Sequence, residues 1–292
     1  MTDSPPADSA SEPETAEAAP EKAEKEEKQE SFFVFLLKLV LLVLVFRSFI
    51  FSPFNIPSES MLPRLLNGDY LLAAKWPFGY SKYSLPLSVP LIPGRIFAGE
   101  PERGDVVIFK APPNSDIDYI KRVIGLPGDQ IQVREGQLYL NGEAIPKKKV
   151  ADFEVPVSPN TPCYREHFQA RLADGTAVCR YQRYRETLPG GRSYEVLDLT
   201  TSSRSNFFGI DADNTETFIV PEGHMFMMGD NRDNSLDSRF PATQGGGIGI
   251  VPQANLVGKA TIVMFSTDGS AEWIKPWTWF TAARWNRIGG TF

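Results

Sequence analysis

The sequence predicts a mainly β protein: an antiparallel β-sheet ectodomain in two parts on a single N-terminal transmembrane helix. Three observations lead there. Phe32 to Phe51 is the only apolar run of membrane length, about twenty residues. Downstream, short apolar runs alternate with Gly, Pro, Asn and Asp turn signals. No amphipathic helical pattern of convincing length interrupts them, and no repeat is visible.

The elements follow in order. Residues Met1 to Glu30 hold ten acids and three lysines, about −7, against −6 for the 292-residue chain. The rest is therefore close to neutral, which excludes an electrostatic nucleic-acid binder. Residues 1–31, rich in Glu, Ala, Pro and Ser, bury too little to fold and are read as a disordered acidic tail. Residues 32–51 are read as an uncleaved anchor. A signal peptide wants a basic start and an A-x-A exit, and neither is present. Lys38 and Arg47 lie near enough to the ends to reach the headgroups. Lys22, Lys25 and Lys28 favour the amino end inside, which places the folded part outside the cytoplasm.

The remainder divides into residues 52–128, the first part of one β domain; 129–224, an inserted second β domain; and 225–292, the first domain's second part. Strands are expected at Asp69 to Ala73, Val106 to Phe109, Asp118 to Ile124, Ile131 to Val133 and Leu138 to Leu140. Asn141-Gly142 signals a hairpin turn. Further strands are expected at Tyr194 to Leu199, Phe218 to Val220, Met225 to Met228 and Leu256 to Phe265. Trp76 to Gly99, rich in prolines and aromatics, reads as an extended surface hairpin. Trp273, Trp277, Trp279 and Phe280 crowd one segment and suit either a membrane surface or a core.

Cys163 and Cys179 are the two cysteines. Outside the cytoplasm they are expected to pair; in a reducing compartment they would be two thiols. With no CxxC and two histidines, no metal site and no cofactor are expected.

Three stretches hold the chemistry. Ile56-Pro57-Ser58-Glu59-Ser60-Met61-Leu62-Pro63 follows the anchor, with two serines in a proline-stiffened, extended turn. The bland reading is a linker. Tyr119-Ile120-Lys121-Arg122-Val123-Ile124 puts two cations in an apolar strand, on opposite faces. Lys121 is either an edge gatekeeper or a buried base whose pKa must fall roughly three units from about 10.4. A carboxylate touching it would defeat that, so Asp118 and Asp237 should point elsewhere. Gly229 to Arg239 is a dense polar run. It fails as a calcium loop because Arg232, Ser235 and Pro241 occupy ligand, glycine and glutamate positions. It is a solvated loop or a buried polar turn.

Taken in order, these stretches, with Arg103-Gly104-Asp105, Pro127-Gly128-Asp129 and the closing Arg284 to Gly290, resemble the signature boxes of bacterial type I signal peptidases (leader peptidases). The resemblance covers Arg47 to Asp129 and Met225 to Phe292 and is weak between. It implies a membrane-bound serine endopeptidase that removes signal peptides from exported preproteins, cutting after small residues at −1 and −3. It implies Ser60 as nucleophile, Lys121 as general base, and Ser58 with the Ser60 N–H as oxyanion donors. Ser235 would orient the lysine; Asp237 and Arg239 would form a supporting ion pair, with Arg122 a structural cation. Phe54, Ile56, Pro57, Leu65 and Ile120 would wall the substrate pockets, and the substrate would add as a strand along Asp118, Tyr119 and Ile120. The partners implied are exported preproteins and the lipid bilayer, and the location is the bacterial inner membrane with the catalytic domain on the periplasmic face.

Three residues or stretches depart from that pattern: Glu59 where Gly is usual, Arg64 where Thr is usual, and the Gln244 to Gly249 insertion, either a gate or neutral slack. A self-cleaving Ser/Lys peptidase of the repressor type is the rival enzyme, but it lacks an anchor. A catalytically inactive anchored scaffold for exported chains is the other rival, and the presence of both Ser60 and Lys121 argues against it.

Overall fold

The computed structural model describes residues 31–114, 116–199, 210–272 and 274–292. The acidic tail and Trp273 lie outside them. The chain separates into two compact units, one ending at Val40 and one from Leu41 to Phe292. The helix α1 (Phe32–Phe49) contributes to both. Its 18 residues span about 27 Å at 1.5 Å each. Its apolar side chains are exposed around its circumference, as a lipid-facing segment requires.

The larger unit is built on an antiparallel seven-stranded sheet. Its strands are β1 (Phe51–Asn55), β2 (Asp69–Ala74), β3 (Val106–Lys110), β4 (Asp118–Gly125), β5 (His224–Met228), β6 (Val251–Pro252) and β7 (Leu256–Ser266). The spatial order is β1-β2-β7-β3-β4-β5-β6. The anchor stops two residues earlier than its hydropathy suggests. Phe51 pairs with Ala74 as the first residue of β1 and packs on Trp76, and Pro53 two residues on cannot continue a helix.

β3 shows why its whole run is apolar. Val106 and Ile108 join Ile56, Met61, Leu65 and Ile120 in one cluster. Val107 and Phe109 join Phe78, Val123, Met225 and Met227 in another. Alternate residues feed cores on opposite faces, so neither face tolerates a polar residue. Arg95–Ile96 pairs with Tyr80–Ser81 in a short ribbon, and tight 3₁₀ turns fill the rest of the expected Trp76 to Gly99 hairpin.

Among the described residues, the strands between 130 and 219 form smaller sheets. Ile131, Val133, Leu138 and Val196 share a cluster with Ile124, Phe226 and Met228 from the main sheet. Asn141 and Gly142 both take positive φ, as a two-residue hairpin turn demands. Cys163 and Cys179 are disulfide-bonded, with Cα atoms 5.3 Å apart. Cys179 lies in a cluster with Leu62 and Leu66, so this bonded strand packs against the segment that follows the serines.

The Gln244 to Gly249 stretch is packed. Ile248 is buried beside Phe78 and Met225, and a Cβ at Gly247 would stand 2.4 Å from the Phe240 Cβ. It does not line the cleft beside Ser60 and Lys121. At the C-terminal end, a short helix (Trp277–Ala282) exposes Trp277, Trp279 and Phe280, so core packing does not account for these rings.

Candidate active site

The serine turn is extended only as far as Pro57 and then coils. Leu62 N–H donates to Glu59 O and Leu65 N–H to Met61 O. Asp69 fixes its far end. This fully buried carboxylate accepts from Leu66 N–H, from Ser266 Oγ and from Arg287. Ile56, Met61 and Leu62 are buried, which leaves the serines at the rim of a cleft.

The polar run Gly229 to Arg239 is a buried turn that grips the serines from the other side. Asn231 N–H donates to Ser60 O at 3.1 Å. The Asn231 side chain donates to Glu59 O and Asn234 to the Glu59 carboxylate, each at 3.1 Å. Gly229 must be glycine here, because a Cβ would lie 2.5 Å from Ser60 O and 2.3 Å from Ser235 Oγ.

Lys121 Nζ donates to Ser60 Oγ at 2.7 Å and to Ile120 O at 3.1 Å. Its surroundings are Tyr119, Val123 and the buried face of the sheet, and the residue is 4% exposed. Burial pushes its pKa down to about 8, against the opposing pull of the Asp237 and Asp230 charges. No ion pair to Lys121 exists among the described residues. Asp118 pairs with Lys110 at 3.1 Å, Asp237 with Arg239 at 2.9 Å, and Asp230 with Arg122 at 2.6 Å. Such a lysine is neutral in a useful fraction near neutral pH and can take a hydroxyl proton.

The supporting residues are more connected than the sequence suggests. Arg122 is held by both oxygens of Asp230 and by Gly104 O. Arg232 is held by both oxygens of Glu186, which also accepts from Tyr194. Asp230, Asn231, Asn234 and Glu186 were not singled out as site residues. The polar density of the run marked the region, but partners a hundred residues away leave no local signal.

Two expected placements differ. Ser235 Oγ does not bond Lys121 Nζ. It is buried beside the Asp237 carboxylate without full hydrogen-bond geometry to any group. Burial pushes the Asp237 carboxyl up, but Arg239, the Gly229 N–H and Ser235 together hold it below its usual range. Leu65 does not line the cleft. It is fully buried in the cluster that holds Ile56 and Met61, because the coil after Ser60 turns it inward.

The cleft itself has a volume of about 450 Å³ and is lined by Phe54, Ile56, Pro57, Ser58, Tyr119 and Ile120 among others. Ser58 Oγ stands 3.4 Å from Ser60 Oγ. β4 pairs with β3 from Asp118 to Arg122, but with β5 only from Arg122 to Gly125. Among the described residues, one edge of Asp118 to Lys121 therefore has no strand beside it. Lys75, which the sequence reading passed over, packs over Phe54, and burial lowers its pKa to about 8 despite Asp118 nearby.

A buried Ser–Lys contact beside an open strand edge, on a β-sheet unit that follows an apolar helix, is the architecture of a membrane-anchored serine peptidase. The family model for signal peptidase, peptidase S26, matches residues 29–265, and the chain belongs to that family. It is similar to the signal peptidase I of Rickettsia typhi, 39% identical over 76% of this chain and 75% of the relative. Signal peptidase I of Rickettsia akari is 36% identical over 83% and 85%. A solved signal peptidase I from Enterococcus faecalis is 24% identical, covering 55% of this chain and 96% of its own. Its TM-score of 0.27 is too low to bear on the comparison. The chain is thus a serine peptidase of the signal peptidase I type, acting on exported preproteins to remove their signal peptides.

Proposed function

We propose that Ser60 is the nucleophile and Lys121 the base that activates it. The observation behind this reading is the 2.7 Å contact between Nζ and Oγ, with no carboxylate paired to the lysine. Neutral Lys121 takes the Ser60 proton as Oγ attacks the scissile carbonyl. The oxyanion accepts from the Ser60 N–H and from the Ser58 hydroxyl. The lysine ammonium then gives its proton to the leaving amine, and an acyl-enzyme remains. Water, deprotonated by the same lysine, attacks the ester, and the ammonium returns its proton to Ser60 Oγ as the carboxyl product leaves.

The substrate lies as an added strand along Asp118, Tyr119 and Ile120, with its −1 and −3 side chains toward Phe54, Ile56 and Pro57. A shallow apolar wall favours small residues there. Asp237 and Arg239 hold the polar turn, Arg122 ties it to β4, and Ser235 supports it through Asp237 rather than by direct contact with the lysine. In domain terms, 1–31 is a tail, 32–51 the anchor, 52–128 and 225–292 the catalytic part and 129–224 the insertion.

The pH dependence tests the base. Activity requires neutral Lys121, so cleavage should fall as pH drops through about 8. His167→Gln and His224→Gln should leave that limb in place. So should Lys75→Gln, which removes the other lysine brought to about 8. Loss of the limb in any of these three refutes the assignment to Lys121.

Ser58→Ala should lower kcat by roughly 10²–10³ with a smaller change in KM, because the lost donor serves the transition state. Wild-type turnover would remove Ser58 from the oxyanion site.

The orientation is amino end inside, with the catalytic unit on the periplasmic face of the inner membrane and the exposed Trp277 and Phe280 toward lipid. An oxidising side of the membrane implies that Cys163 and Cys179 are linked in protein recovered from its native membrane. Mass spectrometry of alkylated, non-reduced peptides should find them as one linked species. Two alkylated thiols would contradict both the bond and the orientation.

A further inference from the structure

A second, larger cavity lies where the inserted sheets meet the main sheet. It is about 690 Å³ in volume and shares no lining residue with the catalytic cleft. Its walls come from widely separated parts of the chain, among them Pro63 and Arg64 after the serines, the turn at Gly104, the strands around Arg183 to Glu195, and the C-terminal Arg287.

The cavity's charge is unbalanced. Seven Lys and Arg side chains line it, against Asp105 and Glu195. Each of these two carboxylates is shared between two cations. Glu195 accepts from Arg183 and Arg185, and Asp105 accepts from Arg192 and Lys259. Arg122 and Arg287 are matched by Asp230 and Asp69, which do not line the cavity. Glu102 adds a largely exposed second carboxylate for Arg192. Five carboxylates thus serve seven cations.

Arg64 is the cation left over. It forms no ion pair among the described residues and rests over the Phe292 ring, 5.5 Å from its centre. Partial burial, and then the charges of Arg122 and Arg287, hold its guanidinium below its usual range, with Asp230 opposing. A planar fork of donors held over an aromatic ring and aimed into a basic cavity is suited to bidentate recognition of an oxyanion. Arg185, sharing one carboxylate with Arg183, also has donors to spare.

We propose that this cavity binds a phosphate-bearing anion, with Arg64 and Arg185 as its principal donors. The chemistry is that of a compact group with at least one full negative charge and several acceptor oxygens. Either a free phosphate or the headgroup of an anionic lipid supplies it.

Calorimetric titration of the full chain in a non-ionic detergent at low salt tests the proposal. The two probes are inorganic pyrophosphate and dihexanoylphosphatidylglycerol below its micelle concentration. Saturable binding of at least one probe is expected. Tighter binding of pyrophosphate identifies a free phosphate as the source, and tighter binding of the short lipid identifies a headgroup. Arg64→Ala and Arg185→Ala should each weaken the preferred probe about tenfold or more, as loss of a charge-assisted hydrogen bond implies. Both variants should melt like the wild type, and Arg134→Ala, an exposed cation on a strand that does not line the cavity, should bind normally. The proposal is overturned if neither probe saturates, if both arginine variants bind like the wild type, or if Arg134→Ala weakens binding equally.

Discussion

Ser60→Ala and Lys121→Ala are each expected to lose cleavage of a model preprotein bearing Ala-x-Ala, by a factor on the order of 10⁴ or more. Removing either member of a unit that acts together removes nearly all of its contribution. Neither change should unfold the protein. Ser60 is small and sits at the cleft rim, and the turn around it is held by backbone bonds from Asn231 and by buried Met61 and Leu62. Lys121 fills apolar surroundings, so Lys121→Met, which keeps the volume and removes the base, is the better control. It should be as inactive as the alanine variant and melt at least as high, because a buried ammonium is itself costly. Turnover by purified Ser60→Ala or Lys121→Met would refute the proposed dyad. Failure of the wild type on the same substrate would refute the proposed preference for small residues.

Asp230→Ala should be among the most destabilising single substitutions in the larger unit. Arg122 is about 5% exposed and gives two of its bonds to this carboxylate at 2.6 and 2.7 Å. Deleting the carboxylate leaves a guanidinium buried with only Gly104 O to satisfy it. Breaking a buried pair from one side costs about 3–5 kcal/mol, which in a unit of this size lowers the melting temperature by roughly 10 °C. The double variant Arg122→Met/Asp230→Ala should recover much of the loss, since no unpaired charge remains. Thermal melts of the three proteins decide it. A single variant that melts within about 2 °C of the wild type would show that this pair contributes little to the fold.

Much of the framework was legible because local rules acted alone. An apolar run of membrane length, the alternation within β4 and the turn at Asn141-Gly142 each depend on a few consecutive residues. The boundaries slipped where a partner strand intervened. Phe51 reads as lipid-facing by hydropathy, yet pairing with Ala74 draws it into β1. The resemblance makes Leu65 a pocket wall, yet the coil beginning at Ser60 turns it into the core. The glycine-rich Gln244 to Gly249 stretch reads as a gate or as slack. The structure adds that Ile248 within it is anchored in the core.

The sequence by itself determined the mainly β class, the anchor and the presence of a serine and a lysine in boxes shared with the signal peptidases. Only the tertiary structure decided what surrounds them. Lys121 lies sixty-one residues from Ser60, and its partner-free burial depends on every nearby carboxylate being engaged elsewhere. Glu186 lies forty-six residues from Arg232, and Asp230 lies 108 from Arg122. The cavity around Arg64 draws cations from five segments that have no pattern in common. Local sequence reports propensity and hydrophobic period. Desolvation and charge pairing are set by which distant groups the fold brings together.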